Sequence, residues 1–239
     1  MPGGYYVALS GMRTRLDALD RVSSDIANAS TAGYKLERAG LVQSDRPSFG
    51  AELQSAIDVV GGEVRVDFRA GGIAPTGRDL DVAIDGAGFF EVDTSAGARY
   101  TRNGRFVRRP DGVLATAEGD AVQGDSGPIT IGRGLTQIDS DGTVRQNGAA
   151  VGKLKVVEFN PNAPIVKESA FRFRNDGPDG PQPATESSVK SGALEQSNVS
   201  VVERVTELTN VTRNFETLQR AVSVLSEMDT RAISEFSRR

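Results

Sequence analysis

The sequence predicts an α+β fold in which N- and C-terminal amphipathic helices pack together as a coiled-coil-like layer. A small antiparallel β domain and extended linkers are inserted between them. Apolar residues recur at heptad spacing at both ends of the 239-residue chain, and alternating segments punctuated by glycine turns fill the middle. The boundaries this implies are 1–33 for the first helix, 34–75 for a linker, 76–160 for the β domain, 161–196 for a Pro/Gly-rich return and 197–239 for the second helix.

At the N-terminus, Tyr5, Leu9, Met12, Leu16, Leu19 and Ile26 fall along one side of a helix expected over 4–30, while Arg13, Arg15, Asp17, Asp20, Arg21 and Asp25 fall off that stripe. The run Asn28-Ala29-Ser30-Thr31-Ala32-Gly33 ends the helix, because glycine reaches the left-handed conformation that reverses the chain. From Tyr34 to Pro75 the pattern is mixed: Pro47 interrupts it, Ala51–Ile57 reads as a short helix, and Glu63–Phe68 alternates like a strand.

From Leu80 the period becomes two. Turn pairs at Asp85-Gly86, Asn103-Gly104, Asp111-Gly112, Glu118-Gly119, Asp141-Gly142 and Asn147-Gly148 separate short strands. The strands expected are Leu80–Ile84, Phe89–Val92, Arg99–Arg102, Arg105–Val107, Val113–Ala115, Ile129–Ile131 and Lys153–Phe159, forming a small sandwich or partly open barrel. Residues 160–190 contain five prolines and read as a loop or extended return, after which Ser197-Asn198 is placed to cap the second helix. On that helix Leu208, Val211, Phe215, Leu218, Val222, Leu225, Ala232 and Phe236 form the second stripe, broken by Asp229.

Composition excludes several chemistries. Cysteine and histidine are absent, so no disulfide, no Cys or His metal site and no Ser-His-Asp relay can be built. A formal net charge of −4 offers no electrostatic reason to expect nucleic acid. No stretch approaches a membrane span, and the first 30 residues lack the layout of a cleaved secretory signal.

Single motifs have plain structural readings. Asp139-Ser140-Asp141-Gly142 lacks the later acidic ligand of a calcium loop, and Gly86-Ala87-Gly88 lacks the third glycine of a dinucleotide fingerprint; both suit turns. Asp79 and Asp81 read as alternating strand positions rather than a hydrolytic carboxylate pair. Asn198-Val199-Ser200 and Asn210-Val211-Thr212 fit glycosylation acceptors only formally. The cluster Arg99, Arg102, Arg105, Arg108 and Arg109 reads as a solvated face or as a partner for a neighbouring subunit's acidic surface. No catalytic residue, cofactor, metal or small-molecule substrate is expected.

Both stripes are narrow seams, and two such helices alone bury little surface, which favours side-by-side packing of several copies. The competing expectation is an ordinary monomer whose helices lie on the β domain. Another alternative, from a different class, is a secreted carbohydrate-processing or carbohydrate-binding β domain with helical ends.

Four motifs in order resemble the bacterial flagellar rod and hook protein family. They are Ala27–Lys35 (ANASTAGYK), Thr76–Phe90 (TGRDLDVAIDGAGFF), Tyr100–Phe106 (YTRNGRF) and Gly192–Val199 (GALEQSNV). The length and small middle module resemble a proximal-rod member, with a distal-rod member as the alternative; hook members carry a larger middle. The resemblance implies a structural subunit, part of a drive shaft that transmits torque and encloses the export channel. Its partners would be copies of itself, other rod proteins and, during secretion, the flagellar type III export apparatus, with no cleaved signal peptide and a final position in the periplasm. It also implies that the terminal helices line the inner wall with the β domain outward. The expected subunit contacts are the two stripes, with Asn28, Thr31, Gly33 and Tyr34 carried over from the signature.

Overall fold

The computed structural model describes residues 2–39, 64–160, 163–184 and 187–236, with the side chains of 2–8, 39, 225 and 229–236 outside the description. The expected short helix at Ala51–Ile57 and the break at Pro47 lie outside the described residues. The architecture is α+β: an N-terminal helix α1 (Pro2–Ala27), a β-rich middle and a C-terminal helix α2 (Val201–Phe236). The chain divides into two compact units. One comprises Met1–Ala27, Glu37–Val64 and Ser200–Arg239, and the other Asn28–Leu36 and Arg65–Val199.

In the helical unit, α1 and α2 pack on each other, and the stripe expected on α2 is the packed face. Val211 is buried, and Leu208, Phe215, Leu218 and Val222 are half-buried, while most of the residues between them are exposed. On α1 the packed face is displaced from the expected stripe. Its centre is Gly11, Ala18, Val22 and Asp25, with Val22 at 3% exposure and Asp25 at 1%. Small residues account for the shift. A Cβ built on Gly11 would stand 3.5 Å from Leu218 Cδ1, so the helices approach where α1 has almost no side chain. Asp25, expected off the stripe, is instead buried, with Arg204 Nη1 of α2 at 3.7 Å from its Oδ2. A charge facing a charge within an apolar seam fixes which turns of the helices lie opposite each other.

In the β-rich unit a ten-stranded sheet runs Ile165–Lys167, Phe173–Asn175, Gly97–Thr101, Phe89–Thr94, Ala121–Gly124, Leu114–Ala115 and Val107–Arg108, with Val156–Glu158, Gln182–Pro183 and Gly127–Pro128 attached beside this path. Its pairs are antiparallel, as expected. Both faces of the central strand are covered, which is why two phenylalanines are adjacent in it. Phe90 points into the main core with Val82, Val92, Phe106, Leu114 and Val122, while Phe89 points into an aromatic cluster with Tyr100 and Phe173. Phe68 stands edge-on to Phe89 at 5.2 Å between ring centroids.

The 160–190 stretch is not simply loop. It contributes Ile165–Lys167, Phe173–Asn175 and Gln182–Pro183 to the large sheet, and the strand Ser188–Ser191 pairs with Val82–Asp85. Ala193–Glu195 pairs with Ile73–Pro75, a separate two-stranded sheet formed by segments on either side of 76–160. The reason is register: only Val189 of Ser188–Ser191 is buried, so a polar-looking segment still fills one core position. Ile129–Ile131 is likewise not a strand, although Val113 and Thr130 form an isolated bridge.

A three-stranded sheet, Thr136–Ile138, Thr143–Gln146 and Ala149–Lys153, contains a tight hairpin. Asn147 at φ 48° and Gly148 at φ 85° form its two-residue turn, the pair of left-handed residues that matches strand twist. Asn147→Val is expected to destabilise the protein by about 1–2 kcal/mol, because a β-branched side chain is strained there; the shift in a urea unfolding midpoint measures it. The Asp139–Gly142 segment also behaves as a turn, Asp141 Oδ1 accepting the Thr143 amide at 3.0 Å.

Candidate functional site

Two places are built from the residues that the sequence singles out, one in each unit. In the helical unit the α1 stripe splits. Met12, Leu19 and Ile26 are half-buried on the flank of the seam, whereas Leu9 is 46% exposed and Leu16 47%. With 3.6 residues per turn, Leu9 and Leu16 lie well away from the Gly11–Ala18–Val22 line. On α2, Val201, Val202, Val205, Val224 and Met228 are also exposed, Val202 at 77%. Leu225 and Phe236 lie on α2, but their side chains are outside the described residues. The pair therefore consumes one face of each helix and leaves apolar side chains on others.

The second place is the end of the signature. The chain turns at Asn28–Gly33, with the Thr31 amide donating to Asn28 O at 3.0 Å and Gly33 at φ 69°. Asn28 and Thr31 are half-buried, but Gly33 and Tyr34 are buried. All four belong to the β-rich unit rather than to the helical one. Gly33 and Tyr34, expected as contacts to a neighbour, are covered by their own chain in this structure. A Cβ on Gly33 would fall 2.4 Å from Arg102 C and from Asn103 N. Tyr34 lies under the Lys167 ammonium, which is 3.7 Å from the ring centroid and also donates to Lys35 O at 2.9 Å.

The neighbouring residue, Lys35, meets the last motif. Its Nζ donates to Glu195 Oε1 at 2.6 Å and to Arg69 O at 2.8 Å, and both side chains of the ion pair have no exposed surface. Glu195 Oε1 also accepts the Gly71 amide at 2.9 Å, and Oε2 accepts from Arg102 Nη1 at 3.3 Å. Arg102 Nη2 donates to Gly86 O at 2.9 Å. Burial pushes the Lys35 ammonium below its ordinary pKa, with Glu195 opposing the shift; burial likewise lowers Arg102.

Asn198 works beside this cluster and not as a helix cap: its Oδ1 accepts the Leu36 amide at 2.9 Å, and its Nδ2 donates to Asp67 O at 2.8 Å. Helix α2 starts three residues later, at Val201.

The arginine cluster is thus not one solvated face. Arg102 is 2% exposed and Arg99 7%, the latter donating from Nε to Glu168 Oε2 at 2.8 Å. Sequence reasoning missed Val22, Asp25, Arg204, Lys35, Arg102, Glu195 and Asn198 as organising residues. Lys35, Arg102, Glu195 and Asn198 do stand inside the quoted motifs, which was the available signal.

A cavity of about 420 Å³ lies between the signature turn and the last motif, lined by Ala29, Ser30, Thr76, Arg105, Gln196 and Ser197 among others. No group of metal-ligating side chains occurs among the described residues.

Comparison with known proteins matches the same segments. The description "Flagella basal body rod protein" covers residues 6–35, "Flagellar hook protein FlgE/F/G D1 domain" covers 83–146, and "Flagellar basal body rod FlgEFG protein C-terminal" covers 190–235. The chain is 33% identical to the flagellar basal-body rod protein FlgF of Caulobacter vibrioides, over 100% of this chain and 99% of the relative. It is 31% identical to FlgF of Salmonella typhimurium, with 97% of each chain covered. With the flagellar basal-body rod protein FlgG of Bacillus subtilis the identity is 28%, over 93% of this chain and 95% of the relative.

Proposed function

Because the chain belongs to the flagellar basal-body rod protein family, and is a structural component of the rod and not an enzyme, we propose that it polymerises through its terminal helices. In this reading α1 and α2 form a coiled-coil-like inner layer that encloses the export channel, and the β-rich unit faces outward. The observation that supports it is the apolar surface left on the helix pair, Leu9 and Leu16 on α1 with Val202, Val205, Val224 and Met228 on α2. Apolar side chains grouped on several faces of a thin helical pair are what an interaction surface requires.

The partners are copies of this chain and other rod proteins, delivered by the flagellar type III export apparatus without a cleaved signal into the periplasmic rod. A proximal position is the reading the FlgF relatives support; a distal position is the second reading, supported by the FlgG relative. In this reading the signature from Asn28 to Tyr34, grouped with Arg65–Val199 in the β-rich unit, is where the chain leaves the helical layer.

Sedimentation of the purified chain over a concentration series tests this. Weight-average mass is expected to rise with concentration, and a strict monomer at high micromolar concentration would argue against assembly through the helices.

A further inference from the structure

Two cations from distant parts of the chain close on one carboxylate from a third. Lys35, Arg102 and Glu195 fall one each in the three segments that match the family descriptions, and Lys35 and Glu195 stand 160 residues apart. All three side chains are nearly without exposed surface. We propose that this cluster is a closure latch. It forms only when the strand Ala193–Glu195 has docked, and its formation holds side by side the segment that follows α1 and the segment that precedes α2.

The charge balance carries the coupling. Without Glu195 the site contains two buried cations, and Arg102 itself disfavours the charged form of Lys35. The docking of the segment carrying Lys35 is therefore opposed by an uncompensated buried charge until the carboxylate arrives. Glu195 also holds the segment through its backbone, its carbonyl accepting the Gly33 amide at 2.8 Å. Three residues later, Asn198 accepts the Leu36 amide at 2.9 Å, so the chain after α1 and the chain before α2 are tied at two successive points. The large sheet does not need these bonds, because its core is filled by Phe90, Val92, Leu114 and Val122. Opening the latch should free the two segments and leave the sheet closed. This inference does not depend on assembly.

Amide hydrogen exchange on the full-length chain tests it, comparing wild type with Glu195→Gln and with Lys35→Met. The amides of Gly33, Leu36 and Gly71 are expected to exchange at least tenfold faster in each variant, while amides of the strand Phe89–Thr94 keep wild-type rates. Unchanged rates at Gly33, Leu36 and Gly71 would overturn the latch. So would acceleration by the same factor throughout Phe89–Thr94, which would make the cluster a general stabilising element. If Glu195→Gln gives no folded protein, Lys35→Met is read by the same criterion; failure of both to fold counts as the uniform outcome.

Discussion

Gly104→Ala is expected to abolish the native β-rich unit. A Cβ at this position would stand 1.7 Å from the Val82 carbonyl oxygen and 2.7 Å from its carbon, with a Phe90 ring carbon at 3.2 Å. The obstacle is backbone, so no side-chain rotation relieves it. The two chains are bonded at the same point, the Val82 amide donating to Gly104 O at 3.0 Å and Phe106 donating to Leu80 O at 3.2 Å. Separating them to admit a methyl group breaks both bonds and lifts Phe106, which has no exposed surface, from the core. Core disruption of this kind costs about 4 kcal/mol or more, a large share of the roughly 5–15 kcal/mol that holds a domain folded. Near-ultraviolet circular dichroism and a denaturant titration would show it as loss of the cooperative β-unit transition. A wild-type midpoint would mean that the backbone crossing is looser than its geometry.

Leu16→Asp should separate assembly from folding. Leu16 is 47% exposed and lies off the seam, so a carboxylate there meets water in the monomer and the helix pair is expected to keep its far-ultraviolet signal. In an assembled layer the same carboxylate would replace a leucine whose burial is worth about 1.5–3 kcal/mol. That alone weakens each contact roughly ten- to hundredfold, and burying an unpaired charge adds to the loss. Concentration-dependent sedimentation should disappear and rod growth should stop. Val211→Asp supplies the contrast, because Val211 is 7% exposed within the pair. It is expected to lower helicity as well as assembly. Normal rod growth with Leu16→Asp, or equal loss of helicity in both variants, would refute the division of faces.

What could be read in advance follows from the range of each interaction. The less exposed side of α2 was legible because heptad spacing is a local signal, and Leu208, Val211, Phe215, Leu218 and Val222 are its buried and half-buried apolar positions. The α1 seam was not, because its centre is made by residues that no hydrophobic pattern marks: Gly11 and Ala18 by being small, and Asp25 by meeting Arg204. The glycine turns were legible since left-handed geometry is set by residue type, as at Asn147-Gly148. The strands after residue 160 were hidden by their prolines and by their shortness; Ile165–Lys167 and Phe173–Asn175 have three residues each and owe their structure to the strands beside them. The buried charges were the least legible. A lysine or arginine in a sequence reads as exposed, and only the fold brings Lys35 to Glu195 across 160 residues.

The central claim is that the apolar side chains left exposed on the helix pair are contacts between subunits. A photoactivatable cross-linking residue placed at Leu16 of the full-length chain, in cells that build rods, tests it most directly. The expected product is a covalent dimer with a neighbouring rod subunit, mapped to a residue of α1 or α2. Assembled rods in which that residue yields only intrachain or solvent products would contradict the claim.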